Sequence, residues 1–317
     1  MSSETETGAP ADTGNAASEC GLTSVLRTPT AVVHLEYDAA APPPAPGAGW
    51  TRFVCVSDTH TRAVRVPPGD VLLHGGDLTH SGKAAEFEGV LAWLGALPHA
   101  AKIIIAGNHD LSLDGHDGWY DRNWRRWHES AKKQDVARIR ELLQGPKAAQ
   151  AGIVYLEDRK YEFEAKENGR MWSIYGSPWS PWFMDWGFNY ERGEEADQRV
   201  AAFPKADILL THGPPHEILD KTIHEEHVGC ESLLARLPSL RPRLHLFGHI
   251  HEDHGAIIKQ WSGPGDGSGG DTQAGQTVFV NAAQWPMGPR SRGPEGKRVR
   301  FGEAPFQPVI VDLLDEV

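Results

Sequence analysis

Cysteine is scarce in this chain: three residues in 317, Cys20, Cys55 and Cys230. Scattered in this way, they form neither a disulfide framework nor a thiolate zinc cluster, and a reducing compartment suits them. Positive charge is also short. Thirty-one Lys and Arg stand against 43 Asp and Glu, a formal net charge of -12, so the field of the whole molecule repels a nucleic-acid backbone and disfavours a nonspecific DNA or RNA binder. No run approaches the ~20 apolar residues of a membrane span. The opening residues, Met1-Ser-Ser-Glu-Thr-Glu, lack the basic and apolar regions of a secretion signal, and the expectation is a soluble, cytoplasmic protein without a membrane partner. No repeat of fixed period is present. What the chain has in abundance is histidine, 16 residues, a side chain often collected at metal sites.

Residues 1–49 read as a low-complexity, largely disordered tail, rich in Ser, Thr, Ala, Glu and Gly and ending in AAPPPAPGAG; such a stretch buries too little apolar surface to offset its ordering entropy. Within it AVVHLEY, residues 31–37, has the content of an edge strand. Residues 50–317 read as one domain. Short apolar runs there end abruptly in polar residues: FVCVSDTH, VLLHGGD, KIIIAGNHD, GIVYLED, SIYGSPW, DILLTHGPP, LHLFGHIH, TVFVNAAQ and PVIVDLL. Each has the length of a strand buried on both faces. Helical periodicity falls between them at 84–97, with Phe87, Leu91 and Leu94 on one stripe, and at 136–143, 191–203 and 230–237. Strands alternating with helices predict an α/β domain. Residues 114–133, dense in Trp and charge, and the Gly-rich loop 262–276 interrupt the pattern.

In α/β sheets the loops that leave the carboxyl ends of the strands gather at one edge. The residues just after the apolar runs are Asp58 and His60, Asp77, Asn108 and His109, His212, and His249 with His251. Carboxylate and amide oxygens mixed with imidazole, without thiolate, suit Mn, Fe, Zn or Mg, and the set is too large for one ion. On an extended segment, Asp-x-His and His-x-His would each place two side chains on one face.

The ordered set D-x-H, G-D, G-N-H-D, T-H and G-H-x-H resembles the calcineurin-like metallophosphoesterase superfamily. GDLTHSG, YGSPWSPWF, THGPP and the VGCESLL to LHLFGHIH stretch resemble its metallophosphoesterase-domain-containing subgroup. The resemblance runs from about Arg52 to the C-terminus. It implies a four-layer α/β/β/α sandwich holding two divalent ions about 3.5 to 4 Å apart. It further implies Asp58, His60, Asp77 and His251 on the first ion and Asp77, Asn108, His212 and His249 on the second. A hydroxide would attack phosphorus in line while His109 protonates the leaving alkoxide. Asp110 would orient a loop or ring. Two ions, two carboxylates and one hydroxide leave the centre at about +1, so a small anionic phosphate is expected despite the acidic chain. Where many members read G-D-x-x-D or G-D-x-V-D-R-G, this chain reads GDLTHSG, residues 76–82. The absent Arg argues against a phosphoprotein substrate, and His80 in place of the second Asp leaves the orienting partner of His109 open. GHIH is intact, whereas some animal members resemble a form with Gly at the first His.

The resemblance implies a metal-dependent phosphoesterase acting on small phosphodiesters, with cyclic nucleotides the favoured class. The alternatives are a nucleotide phosphomonoesterase, a metal- and nucleotide-binding scaffold with weak turnover, or a nuclease, which the charge balance disfavours. His80, Trp179 and Trp182 are candidate substrate contacts. The cluster Trp179, Trp182 and Trp186 could stack on a base, form a pocket wall or cap the core. Trp119, Trp124 and Trp127 have the spacing of a packed helix face, and the basic run 122–133 reads as its solvated side.

Overall fold

The computed structural model describes residues 24–128, 132–262, 275–288 and 300–316. Most of the expected tail, residues 1–23, and most of the Gly-rich loop, residues 263–274, lie outside them. In chain order the strands are β1 (Val25–Arg27), β2 (Ala31–His34), β3 (Trp50–Val56), β4 (Val71–His74), β5 (Ala101–Ile105), β6 (Ile153–Leu156), β7 (Arg159–Glu164), β8 (Met171–Ser177), β9 (Ser180–Pro181), β10 (Asn189–Tyr190), β11 (Ile208–Thr211), β12 (Leu244–Phe247), β13 (Gly255–Gln260), β14 (Gln276–Asn281) and β15 (Val309–Leu314). The α-helices are α1 (Ala84–Ala96), α2 (Trp119–Trp127), α3 (Val136–Gln144), α4 (Pro146–Gln150), α5 (Glu194–Ala201) and α6 (Glu231–Leu240).

The strands form two main sheets, ordered β1-β2-β15-β3-β4-β5-β6 and β13-β14-β12-β11-β8-β7. β3 to β6 run parallel in the first, and β8, β11, β12 and β14 run parallel in the second. Alternation along each strand divides the apolar residues between two faces. Phe53, Cys55, Val71, Leu73, Ile103 and Ile105 of one sheet pack with Ile174, Ile208, Leu210, Leu244, Leu246, Val278 and Val280 of the other. The intervening Val54, Leu72 and Ile104 join Phe87 and Leu94 of α1 and Ile139 and Leu143 of α3 on the outer face, as Leu209 and Phe279 join Val200 of α5 and Leu237 of α6. The result is a four-layer α/β/β/α sandwich, with both faces of each sheet covered.

Each apolar run picked out in the sequence is a strand, and each long periodic segment a helix. On α1 the buried stripe is Phe87, Val90 and Leu94 rather than one through Leu91. α3 starts where the Asp135 carboxylate accepts the Arg138 N–H at 3.1 Å. The sheet also takes in a segment that a boundary at residue 50 leaves out. β2 is buried throughout and lies inside the sheet between β1 and β15, because AVVH is apolar enough to be covered on both faces. No helix among the described residues is long and apolar enough to cross a membrane.

Candidate metal centre

The parallel strands of both sheets deliver their carboxyl ends to one edge, and the histidines and acids follow immediately. Asp58 and His60 leave β3, Asp77 leaves β4, Asn108 and His109 leave β5, His212 leaves β11, and His249 and His251 leave β12. All of these converge on one centre. The two-residue spacings do not work through strand alternation, however. Asp58, His60, Asp77 and His249 all have positive φ, at 54°, 45°, 53° and 67°. The chain turns in the left-handed region at each of them, a conformation costing about 1–3 kcal/mol that persists only where the surroundings enforce it. Here the turns enforce one another: Asp58 N–H donates to the Gly76 carbonyl at 2.9 Å and His60 N–H to that of Asp77 at 3.0 Å. Two glycines allow the approach. A Cβ on Gly248 would fall 2.0 Å from Asp58 Oδ2, and one on Gly107 would fall 2.4 Å from Asp77 Oδ1.

The hydrogen bonds fix which nitrogens face inward. His212 Nδ1 must carry its proton, since its partner at 2.9 Å is the Gly75 carbonyl. Its Nε2 is therefore a lone pair, 2.8 Å from Asn108 Oδ1 and 3.4 Å from Asp77 Oδ1. His249 presents Nδ1 to the same Asn108 oxygen at 2.8 Å. On the other side His251 donates from Nδ1 to the Trp285 carbonyl at 3.0 Å. Its Nε2 lies 3.3 Å from Asp58 Oδ1 and 3.4 Å from His60 Nε2, and His60 Nε2 is 3.7 Å from Asp77 Oδ2. Asp77 thus touches both groups. Lone pairs converge where cations would satisfy them, so the donor set fits divalent ions.

The electrostatics agree. Burial pushes His60 well below the ordinary histidine value and His249 down to about 3, and it lowers His212. Imidazoles shifted in this direction favour the uncharged form, the one able to offer a lone pair to a cation. Burial also pushes Asp58 up, but the hydrogen bond and charge of His251 outweigh it and hold the carboxyl below the usual range. His251 is raised in turn: burial opposes its charge, and the bond to Asp58 overcomes that. Asp77 is held well above the usual range by burial and then by the charges of Asp58 and Asp110. Bound cations would reverse that shift.

Residues 51–253 match the sequence profile of the calcineurin-like phosphoesterases. The chain belongs to the calcineurin-like phosphoesterase family. Metallophosphoesterase domain-containing protein 1 of Homo sapiens is 40% identical over 259 residues, covering 78% of this chain and 68% of its own length, and the Mus musculus protein matches equally. A UPF0046 protein of Caenorhabditis elegans is 31% identical over 249 residues, covering 78% of this chain and 74% of its own. The family typically binds a dinuclear metal site, and clusters such as Asp58, His60 and His251 or Asp58, Asp77 and His212 provide candidate ligands.

Beside these candidate ligands opens a cavity of about 520 Å³, into which His80, His109 and Trp182 face together with Phe183, Arg192, Met287 and Phe301. The orienting partner of His109 is a backbone group: Nδ1 donates to the carbonyl of His80 at 2.8 Å, leaving Nε2 for the cavity. Every residue has a carbonyl, so no motif could have shown this one. Burial pushes His109 down to about 4. Asp110 orients a loop, accepting from Gly107 N–H at 2.8 Å, Thr79 N–H at 2.8 Å and Leu78 N–H at 3.1 Å.

The three tryptophans of SPWSPWFMDW take different places. Trp179 is buried off the cavity, its indole donating to Asp158 Oδ2 at 2.7 Å beneath the guanidinium of Arg199, so its placement is that of core rather than substrate contact. Trp182 is 52% exposed on the cavity rim. Trp186 stacks on His109. Phe301 and Met287 reach the rim from the C-terminal part of the chain, where no motif announces them.

Proposed function

We propose that this phosphoesterase hydrolyses small phosphodiesters, with cyclic nucleotides the favoured class. The observation that carries the reading is the convergence of Asp58, His60, Asp77, Asn108, His212, His249 and His251 beside a cavity into which His109 also faces. Asp58, His60, Asp77 and His251 would hold one divalent ion, and Asp77, Asn108, His212 and His249 a second, with Asp77 shared. Mn, Fe, Zn and Mg all suit such donors. When bound, the ions supply an acidified water and positive charge for the phosphoryl oxygens.

The residues of the chain do the rest. Asp58 and Asp77, on turns locked to each other, fix the side from which water approaches. His109 keeps one proton on Nδ1 against the His80 carbonyl. A proton taken up at Nε2 as the anionic ester enters passes to the leaving oxygen while the P–O bond to that oxygen breaks and a bond to the water oxygen forms. Trp182, Phe183 and Phe301 give the cavity an apolar wall suited to a flat ring, and the net charge of -12 disfavours a polyanion. A reducing, cytoplasmic setting suits Cys55 and Cys230, the buried free thiols among the described residues.

Assay of Mn-loaded protein on cyclic nucleotides, beside the corresponding monophosphates, tests the substrate class. Turnover of the cyclic diesters above that of the monoesters is expected. The reverse order would replace this reading with a monoesterase.

A further inference from the structure

A residue outside the loops of the candidate ligands packs against the face of His109. Trp186 lays its indole on the imidazole with ring centroids 4.0 Å apart and planes 27° from parallel. Trp127 backs the indole at 4.0 Å, so Trp186 is braced by a second ring. His60 meets His109 edge-on at 4.5 Å. The backbone ties this aromatic loop to the ligand loop, for Gly187 N–H donates to the Asn108 carbonyl at 3.2 Å. A further brace on the loop is the bond from Trp182 Nε1 to Asp185 Oδ1 at 2.9 Å. Trp186 does not itself line the cavity. Whatever it does for the reaction, it does through His109.

A hydrogen bond at Nδ1 restrains rotation of the ring about Cβ–Cγ but bends and lengthens at little cost, so small tilts remain; a stacked face resists those tilts. The bond from Nδ1 to His80 supplies the first constraint and the indole the second. We propose that Trp186 is a positioning residue whose indole holds the plane of His109 so that Nε2 is aimed at the leaving oxygen of the bound ester. The inference rests on the phosphoesterase reading above, with His109 as proton donor.

The test uses the metal-loaded full chain and two methyl phosphodiesters, one with a p-nitrophenolate and one with an alkoxide leaving group. Proton donation matters far more for the alkoxide. Trp186→Ala should slow the alkyl ester by about 10- to 100-fold, the cost of a mis-aimed group, and the nitrophenyl ester much less. Trp186→Leu, which fills the volume without a flat face, should behave like Trp186→Ala, and Trp186→Phe should restore the rate. Bound metal should be unchanged throughout. In a His109→Ala background, Trp186→Ala should add no further loss, because the two act as one unit. Equal losses on both esters, or an added loss without His109, would overturn the inference while leaving the phosphoesterase reading intact. A wild-type chain that cleaves neither ester would overturn both.

Discussion

At the residue scale the centre depends on side chains that are small as much as on those that bind. Gly248 is the sharpest case, since any Cβ there collides with the Asp58 carboxylate. Gly248→Ala should fold, yet bind less metal and lose most of its activity; metal analysis alongside a thermal melt separates that outcome from simple unfolding. His109→Ala should keep its metal and lose about 10²-fold in rate, least with good leaving groups. An equal loss across leaving groups would argue against proton donation by His109. The candidate ligands and the strand ends that carry them were legible in the sequence, because Asp, Asn and His recur in short motifs directly after apolar runs. The means of convergence was not. Positive φ at Asp58, His60 and His249 depends on contacts with distant turns, which spacing alone does not encode.

Elements hold the centre from behind. Arg52 on β3 grips Asp312 on β15 with two bonds of 2.8 Å, both side chains nearly fully buried. Removing one partner leaves the other charge buried alone, so Asp312→Ala should cost about 3–5 kcal/mol in denaturant unfolding. A cost under about 1 kcal/mol, typical of exposed pairs such as Arg126 with Asp185, would show that water reaches Arg52. Two buried histidines on the strands make stability depend on pH. Burial lowers His74 on β4 and His245 on β12 from 6.5 to about 3. The unfolded chain therefore binds more protons than the folded one between those values, and stability present above pH 6.5 is lost as pH falls, each group contributing up to about 1.4 kcal/mol per pH unit. Urea midpoints of chelated protein at pH 7 and pH 5 should differ accordingly, and equal midpoints would contradict the burial of these rings. The strands buried on both faces were legible as apolar runs. β7, with the sequence RKYEFE, was not, because an exposed edge strand carries charge where a central strand carries valine.

At the scale of the whole molecule, two mixed sheets packed face to face deliver the ends of their parallel strands to a single edge, where candidate ligands for cations gather in a chain of net charge -12. The layer order followed from the resemblance of the motifs to a known family; composition gave only the α/β class. The mouth of the cavity was the least legible part. Its apolar rim joins Trp182 and Phe183 to Met287 and Phe301, residues more than 100 positions apart that only the fold brings together. The central claim is that this edge works as a two-ion phosphoesterase. The most direct measurement titrates Mn into chelated protein, following bound metal and the cleavage of bis-p-nitrophenyl phosphate in the same samples. Hydrolysis that climbs to a plateau at two ions per chain is the predicted result. Two bound ions without cleavage, or cleavage indifferent to chelation, would contradict the account.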